Sequence, residues 1–401
     1  MTTAFRTYLW IFCGMVLAGL SGVLLLNVLV DPNGAYPGFS LRQIEPYRTE
    51  FASRPAKAEL AARGDFDLLL VGSSRLRVGM PVRHPAYGPA RVCNLGLGAT
   101  TLSETAAVLD FALRHNKVRT VLLGADFHLF SDSREIDPTF ATSRFNPELE
   151  VFEYHCRNLL GAEATANAWS LLRLRLTGKP PPEGENGFVP KHVPPKASQR
   201  DLFAKRIRSS LTDPGAEGSF RRSEQRLEAF RQMIRSCRTN GIQLIVFIPP
   251  VHALQLETIR VAGHALAFEE WKRDLVRILA EENASGSVPL WDFTGYSGFV
   301  AEQIPAEGNR SARMKWYLEV SHFTPALGDL VLRRMLGGDE SATDLQTAFG
   351  VRLLPDNIDH HLVKQRAARD AYAKANPEEI AWLEKLAATL DRRSASALGD
   401  L

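Results

Sequence analysis

Apolar and polar residues follow several distinct rhythms along this chain, and each predicts a different element. The first is unbroken. From Leu9 to Val30 the run LWIFCGMVLAGLSGVLLLNVLV carries no charge, and at about 1.5 Å per residue it makes a helix about 33 Å long, enough to cross a bilayer core. A cleaved signal peptide would have a shorter apolar stretch, about 7–15 residues, closed by a small-x-small site. This run ends instead in Val28-Leu29-Val30-Asp31-Pro32, so an uncleaved membrane anchor is expected over residues 1–31. Asp31 to Ser40 is a Pro/Gly-rich exit, and 32–64 reads as a linker with a helical part.

A second rhythm begins after the linker. Short apolar runs closed by Gly or Pro predict buried parallel strands at Phe66–Val71, Arg91–Asn94, Val118–Gly124, Ile242–Ile248 and Val288–Phe293. Between them helical spacing predicts Ser103–Asn116 with Ser103 as its cap, Ser223–Asn240 stopped by Gly241, Ala267–Glu282 and Pro325–Leu336. Alternation of this kind implies an α/β fold, a doubly wound three-layer domain with about five parallel strands over 65–337. The pattern lapses over about 127–220, read as an insertion, and KPPPEGENGFVPKHVPPK from Lys179 to Lys196 is proline-rich. The segment Lys179 to Arg208 is therefore expected to bury little, so that shortening it would leave the melting temperature nearly unchanged. The tail, 338–401, is expected to be mostly helical, with Asn376-Pro377-Glu378-Glu379 as a helix start.

Composition changes this picture in three places. The chain's 401 residues, 45% of them apolar, suffice for one large domain with accessories. Its 48 basic and 45 acidic residues nearly cancel, so nothing in the total points to nucleic acid as a partner. Arg6 and the amino terminus precede the apolar run, and the next basic residue is Arg42. The positive-inside rule then gives a single pass with the body on the side away from the cytoplasm, which in a bacterial envelope means the inner membrane with the body in the periplasm. Cys13 lies in the anchor, and Cys93, Cys156 and Cys237 follow no metal or redox spacing. Buried thiols are expected there, although an oxidising compartment would allow one disulfide.

In a parallel α/β sheet, ligands bind beyond the carboxyl ends of the strands, so the loops that follow the strands are where chemistry is sought. Gly72-Ser73-Ser74-Arg75 follows the first strand and offers a serine at the sheet's top, though such a turn by itself is a common structural feature. Asn94-Leu95-Gly96-Leu97-Gly98-Ala99-Thr100 can bring backbone amides close to a developing oxyanion, or can equally serve as a tight turn or a generic phosphate loop. It lacks the dinucleotide-binding spacing. Gly124-Ala125-Asp126-Phe127-His128 adds polar groups at the next strand end. Glu319-Val320-Ser321-His322 precedes the last helix of the domain, and its spacing lets a carboxylate hold the imidazole Nδ1–H while Nε2 faces a hydroxyl. A helix start with capping side chains is the plainer reading of the same residues.

Taken together, these loops resemble the SGNH (GDSL-like) hydrolase superfamily. The anchor with VGSSR, NLGLGATT, FIPPVH and YLEVSHFTPALGD is similar to membrane-anchored bacterial relatives of the alginate O-acetylation and teichoic-acid D-alanylation proteins. The resemblance spans about Asp67 to Leu336. It implies Ser74 as nucleophile, Gly98 as an oxyanion donor, and Glu319 and His322 as acid and base; Arg75, next to Ser74, is expected to bind substrate. Two departures stand out: Glu319 occupies a position usually held by Asp, and Asp126 occupies that of an Asn which donates to the oxyanion. A charged Asp126 facing an oxyanion would be repulsive unless it turns away or is protonated.

The expected function is thus that of an extracytoplasmic serine esterase or O-acyltransferase, most naturally for acetyl groups, acting on a cell-envelope polysaccharide. Lys179, Lys191, His192, Lys196, Arg200, Lys205, Arg206 and Arg208 offer a basic surface for an acidic glycan, or merely a solvated loop. The alternative is a non-catalytic scaffold of the same fold that assembles with a membrane acyltransferase; an esterase for membrane lipid is a third reading. No cofactor or metal is expected, and His360-His361 reads as an isolated pair in the tail.

Overall fold

The computed structural model describes residues 3–51, 53–282, 288, 290–337 and 349–399. Met1 and Thr2 of the expected anchor, Ala52 of the linker, Pro289 of the last expected strand, and 338–348 and 400–401 of the tail lie outside them. The chain opens with helix α1 (Thr3–Val30) and α2 (Arg54–Ala62), then strand β1 (Leu68–Val71), α3 (Ser74–Gly79), β2 (Val92–Asn94), α4 (Leu102–His115) and β3 (Thr120–Gly124). Five helices follow before the next strand: α5 (Pro138–Ala141), α6 (Val151–Leu160), α7 (Ala162–Leu176), α8 (Gln199–Thr212) and α9 (Glu224–Thr239). β4 (Gln243–Ile248), α10 (Ala253–Val261), α11 (Ala265–Glu282), β5 (Leu290–Asp292) and α12 (Pro325–Leu336) lead to β6 (Val351–Leu353), α13 (Ile358–Ala375) and α14 (Pro377–Gly399).

The six strands form one sheet in the order β2-β1-β3-β4-β5-β6, parallel except for the antiparallel β5–β6 edge. Strands β1 and β3 are apolar because both of their faces are covered, and every residue of β1 is buried. From β1 the chain steps outward to β2 and then crosses back to β3, so the order reverses beside β1, the kind of place where α/β sheets bind ligands. The sixth strand was not expected. It comes from the tail, where three residues, two of them exposed, are too short for an alternation to be visible.

Two compact units are present. One gathers 1–63 with 137–189, and the other gathers 64–136 with 190–401, including the whole sheet. The expected insertion is therefore divided between them, and it is largely helical. In the first unit, Asn27 near the end of α1 donates to Leu159 O at 2.9 Å and to Thr165 Oγ1 at 2.9 Å. Val30 packs with Ile44, Tyr47, Ala168 and Leu171.

Two local expectations need correction. Thr101, not Ser103, caps α4, because Thr101-x-x-Glu104 forms a reciprocal capping box in which Thr101 N donates to Glu104 Oε2 at 2.7 Å and Glu104 N to Thr101 Oγ1 at 3.2 Å. The expectation that Lys179–Arg208 buries little fails over its last part. Gln199, Phe203 and Ile207, at helical spacing on α8, are fully buried, and shortening the segment through them removes core rather than loop.

Candidate active site

The apolar run of β1 ends at Gly72, where the chain turns and Ser73 caps α3 by accepting the Arg75 amide at 3.1 Å. That makes Ser74 the first residue of α3, half-buried at the carboxyl end of β1. Its Oγ lies 2.8 Å from His322 Nε2, 248 positions away in sequence. His322 Nδ1 faces Glu319 Oε1 in an ion-pair contact, and the other carboxylate oxygen accepts the Ser321 amide at 2.9 Å. Burial pushes the Glu319 carboxyl up, but His322, Arg206 and the Ser321 amide together hold it below the usual carboxylate range. Serine, imidazole and carboxylate thus form one hydrogen-bonded chain.

Three contacts hold this chain in register. Leu318 N donates to His322 O at 2.9 Å and Thr324 N to Trp316 O at 2.9 Å, pinching the 316–324 loop shut. Gln199 on α8 donates to Tyr317 O at 2.5 Å and accepts from Met314 N at 2.9 Å. Finally α3 and α12 approach closely: a Cβ on Gly79 would overlap the Phe323 ring, and one on Gly328 would overlap the Gly79 carbonyl. Nothing larger than glycine fits at either place.

The loop after β2 runs alongside. Leu97 N donates to Gly72 O at 2.9 Å and Gly96 N to Asn94 Oδ1 at 3.0 Å, which sets Gly98 near α3, with the Arg77 guanidinium 3.5 Å from where its Cβ would be. Ala99 beside it adopts φ +48°, a left-handed conformation that costs a non-glycine residue of order 1–3 kcal/mol and is often retained at functional sites.

Arg75 follows in the turn after β1, as expected. It is buried, and its guanidinium pairs with Asp126 Oδ1, reaches Glu217 Oε1 at 3.4 Å, and donates from Nε to Ser321 O at 3.1 Å. All of these partners are groups of the protein itself. The same contact engages Asp126, whose carboxylate is fully buried with Oδ1 turned onto that cation.

Glu217, which no sequence pattern singled out, completes this cluster with His128 at 3.6 Å, too long for a hydrogen bond. Burial pushes Glu217 up, while His128, Arg75 and Arg206 hold it well below its usual range. Burial likewise pushes the His128 imidazole down.

A cavity of about 350 Å³ opens on Glu319 and His322 and is also lined by Lys191, His192, Lys205 and Arg206. The other basic residues of that stretch do not line it. Elsewhere, His361 is not isolated: it is buried and donates from Nε2 to Asp292 Oδ2 at 2.9 Å, an oxygen that also accepts from Lys272 Nζ at 2.6 Å. Among the described residues, no three His, Cys, Asp or Glu side chains converge as a metal site. The chain matches no protein-family model, and no curated protein matches it.

Proposed function

We propose that the chain is a serine esterase or O-acyltransferase of the SGNH type, held by α1 in the inner membrane with its body in the periplasm and acting on acyl, most naturally acetyl, esters of a cell-envelope polysaccharide. The observation that carries the reading is the Ser74 Oγ to His322 Nε2 contact at 2.8 Å, backed by Glu319 on Nδ1. In this reading the sheet is the centre of a three-layer, doubly wound domain, and the reversal beside β1 is its active edge.

His322 Nε2 takes the hydroxyl proton as Ser74 Oγ forms a bond to the ester carbonyl carbon. Negative charge builds on the carbonyl oxygen, for which the resemblance offers the Gly98 amide. Collapse breaks the ester C–O bond, the leaving alcohol carries away the proton held by His322, and an acyl-Ser74 remains. Water or a sugar hydroxyl then attacks the acyl carbon with His322 again as base; collapse breaks the acyl carbon–Oγ bond and His322 returns the proton to Ser74, giving hydrolysis or transfer. Glu319, held ionised, stabilises the imidazolium that forms twice in the cycle. Basic side chains around the adjoining cavity suit an acidic glycan.

Labelling by a fluorophosphonate probe tests the reading, with the expectation that intact protein is labelled and Ser74→Ala is not. Absence of labelling, together with unchanged polymer acylation in cells carrying Ser74→Ala, favours instead a scaffold that serves a membrane acyltransferase.

A further inference from the structure

The unit formed by 1–63 and 137–189 exposes apolar surface of an unusual kind. Among the described residues, seven of the eleven exposed large apolar side chains outside α1 belong to this unit, and Phe39, Phe152, Trp169 and Leu176 are between 60% and 80% exposed. Single exposed apolar residues need no explanation. On α7, however, Ala162, Ala166, Trp169, Arg173 and Leu176 repeat at helical spacing and are all exposed, a stripe with one charge that is flanked by the exposed Glu163 and Arg175. A helix facing water is ordinarily polar on that side.

Position explains the exception. α1 has 28 residues, about 42 Å at 1.5 Å per residue, whereas a bilayer core takes about 20 residues. Its eighteen-residue apolar window is entirely unburied by protein, and protein contact begins at its last turn. There Asn27 bonds to Leu159 and Thr165, and Val30 packs on Ala168 and Leu171. The exit segment also folds back, since Leu41 N donates to Leu29 O at 2.8 Å, which brings exposed Phe39 to the same end. Thus α6 and α7 are fixed within about one turn of the point where the chain leaves the membrane. Arg173, Arg175 and Lys179 are exposed toward the carboxyl end of α7, while Glu150, Glu153 and Glu163 lie at the amino ends of the two helices. Tryptophan and exposed basic residues are the side chains that favour the headgroup level of a bilayer.

We infer that α6, α7 and the exit loop form an interfacial platform whose exposed side chains, Trp169, Phe152, Leu176 and Phe39, lie in the headgroup region of the bilayer that α1 crosses. The platform is an extension of the anchor, and it fixes the first unit against the lipid surface rather than letting it hang on a tether. This inference requires only that α1 spans a membrane, and it is independent of any ester chemistry.

The test uses the full chain in nanodiscs of phosphatidylethanolamine and phosphatidylglycerol, with Trp10→Phe to remove the tryptophan inside the anchor. Lipids brominated on the acyl chain close to the headgroup should quench most of the emission that Trp169 contributes, read as the difference from the Trp10→Phe/Trp169→Phe protein, while aqueous iodide should leave it nearly unchanged. Matching circular-dichroism melts for the two proteins establish that folding is not the difference. Quenching by iodide and not by bromolipid would mean that the stripe faces water, and quenching by neither would mean that a protein, a second copy or a partner, covers it. Either result overturns the platform.

Discussion

Arg75 follows Ser74 in sequence and joins three parts of the candidate site: α3 that carries Ser74, Asp126 after β3, and Ser321 in the loop of His322. A buried cation between two buried carboxylates does not by itself add stability, yet removing it strips Asp126 of its ion-pair partner and Glu217 of one of its compensating cations. Arg75→Met should therefore cost about 3–5 kcal/mol, and Arg75→Met/Asp126→Asn should recover part of that loss in chemical denaturation. Arg75→Lys keeps charge but not the planar fork. It should fold and lose about 10- to 100-fold in kcat with little change in KM, because the nucleophile and base drift apart while the cavity is untouched. Ser74→Ala and His322→Ala should each abolish nearly all ester turnover, the double variant should be little worse, and Glu319→Gln should be milder than either, as assayed with a chromogenic acetyl ester. Ser74, Glu319 and His322 were nameable because their local spacings are chemical patterns. Glu217, Gln199 and the true partners of Arg75 were not, since each acts across 51 to 246 positions with no local periodicity to announce it.

The loop after β4 shows how an element end can titrate. His252 caps α10, with Nδ1 accepting the Leu254 amide at 3.2 Å and Nε2 donating to Glu302 O at 2.7 Å, so the neutral ring satisfies both neighbours and a protonated one loses the cap. Burial pushes its pKa down, offset in part by the Glu302 carbonyl, from an ordinary 6.5 to about 4. Above pH 6.5 neither state binds the proton and the full stability is present. As pH falls from 6.5 toward 4 the unfolded chain takes up a proton that the fold refuses, and stability declines by up to about 3 kcal/mol. Thermal melts across that window should show a steep fall in Tm for the parent and a shallower one for His252→Asn, which retains an acceptor at the cap. The same loop donates His252 N to Val320 O at 3.1 Å, so the effect extends to the loop of Glu319. Helix α9 illustrates an element that could be read directly: Ser223 caps it, and Gly241 at φ +65° closes it with Ile242 N on Cys237 O at 2.9 Å.

At the scale of the whole chain, one helix among the described residues is long and apolar enough to cross a membrane. If it does, the charge bias across that helix, Arg6 before and Arg42 after, predicts the body's side. An alkaline phosphatase fused after Ser40 should be active, and an inactive fusion beside an active cytoplasmic reporter would reverse the topology. By itself, the sequence determined whatever depends on neighbours along the chain: the long apolar helix, the β1, β3 and β4 runs, the glycine and proline stops, and the short spacings that singled out a serine and an acid–histidine pair in loops. Only the tertiary structure decided the reversal of strand order beside β1, the antiparallel β6, the gathering of 137–189 with α1, and the turning of Asp126 onto Arg75. The physical reason is that burial on both faces of a strand marks its residues individually, whereas strand order, charge pairing and helix docking are set by complementarity between surfaces that meet only when the chain is folded.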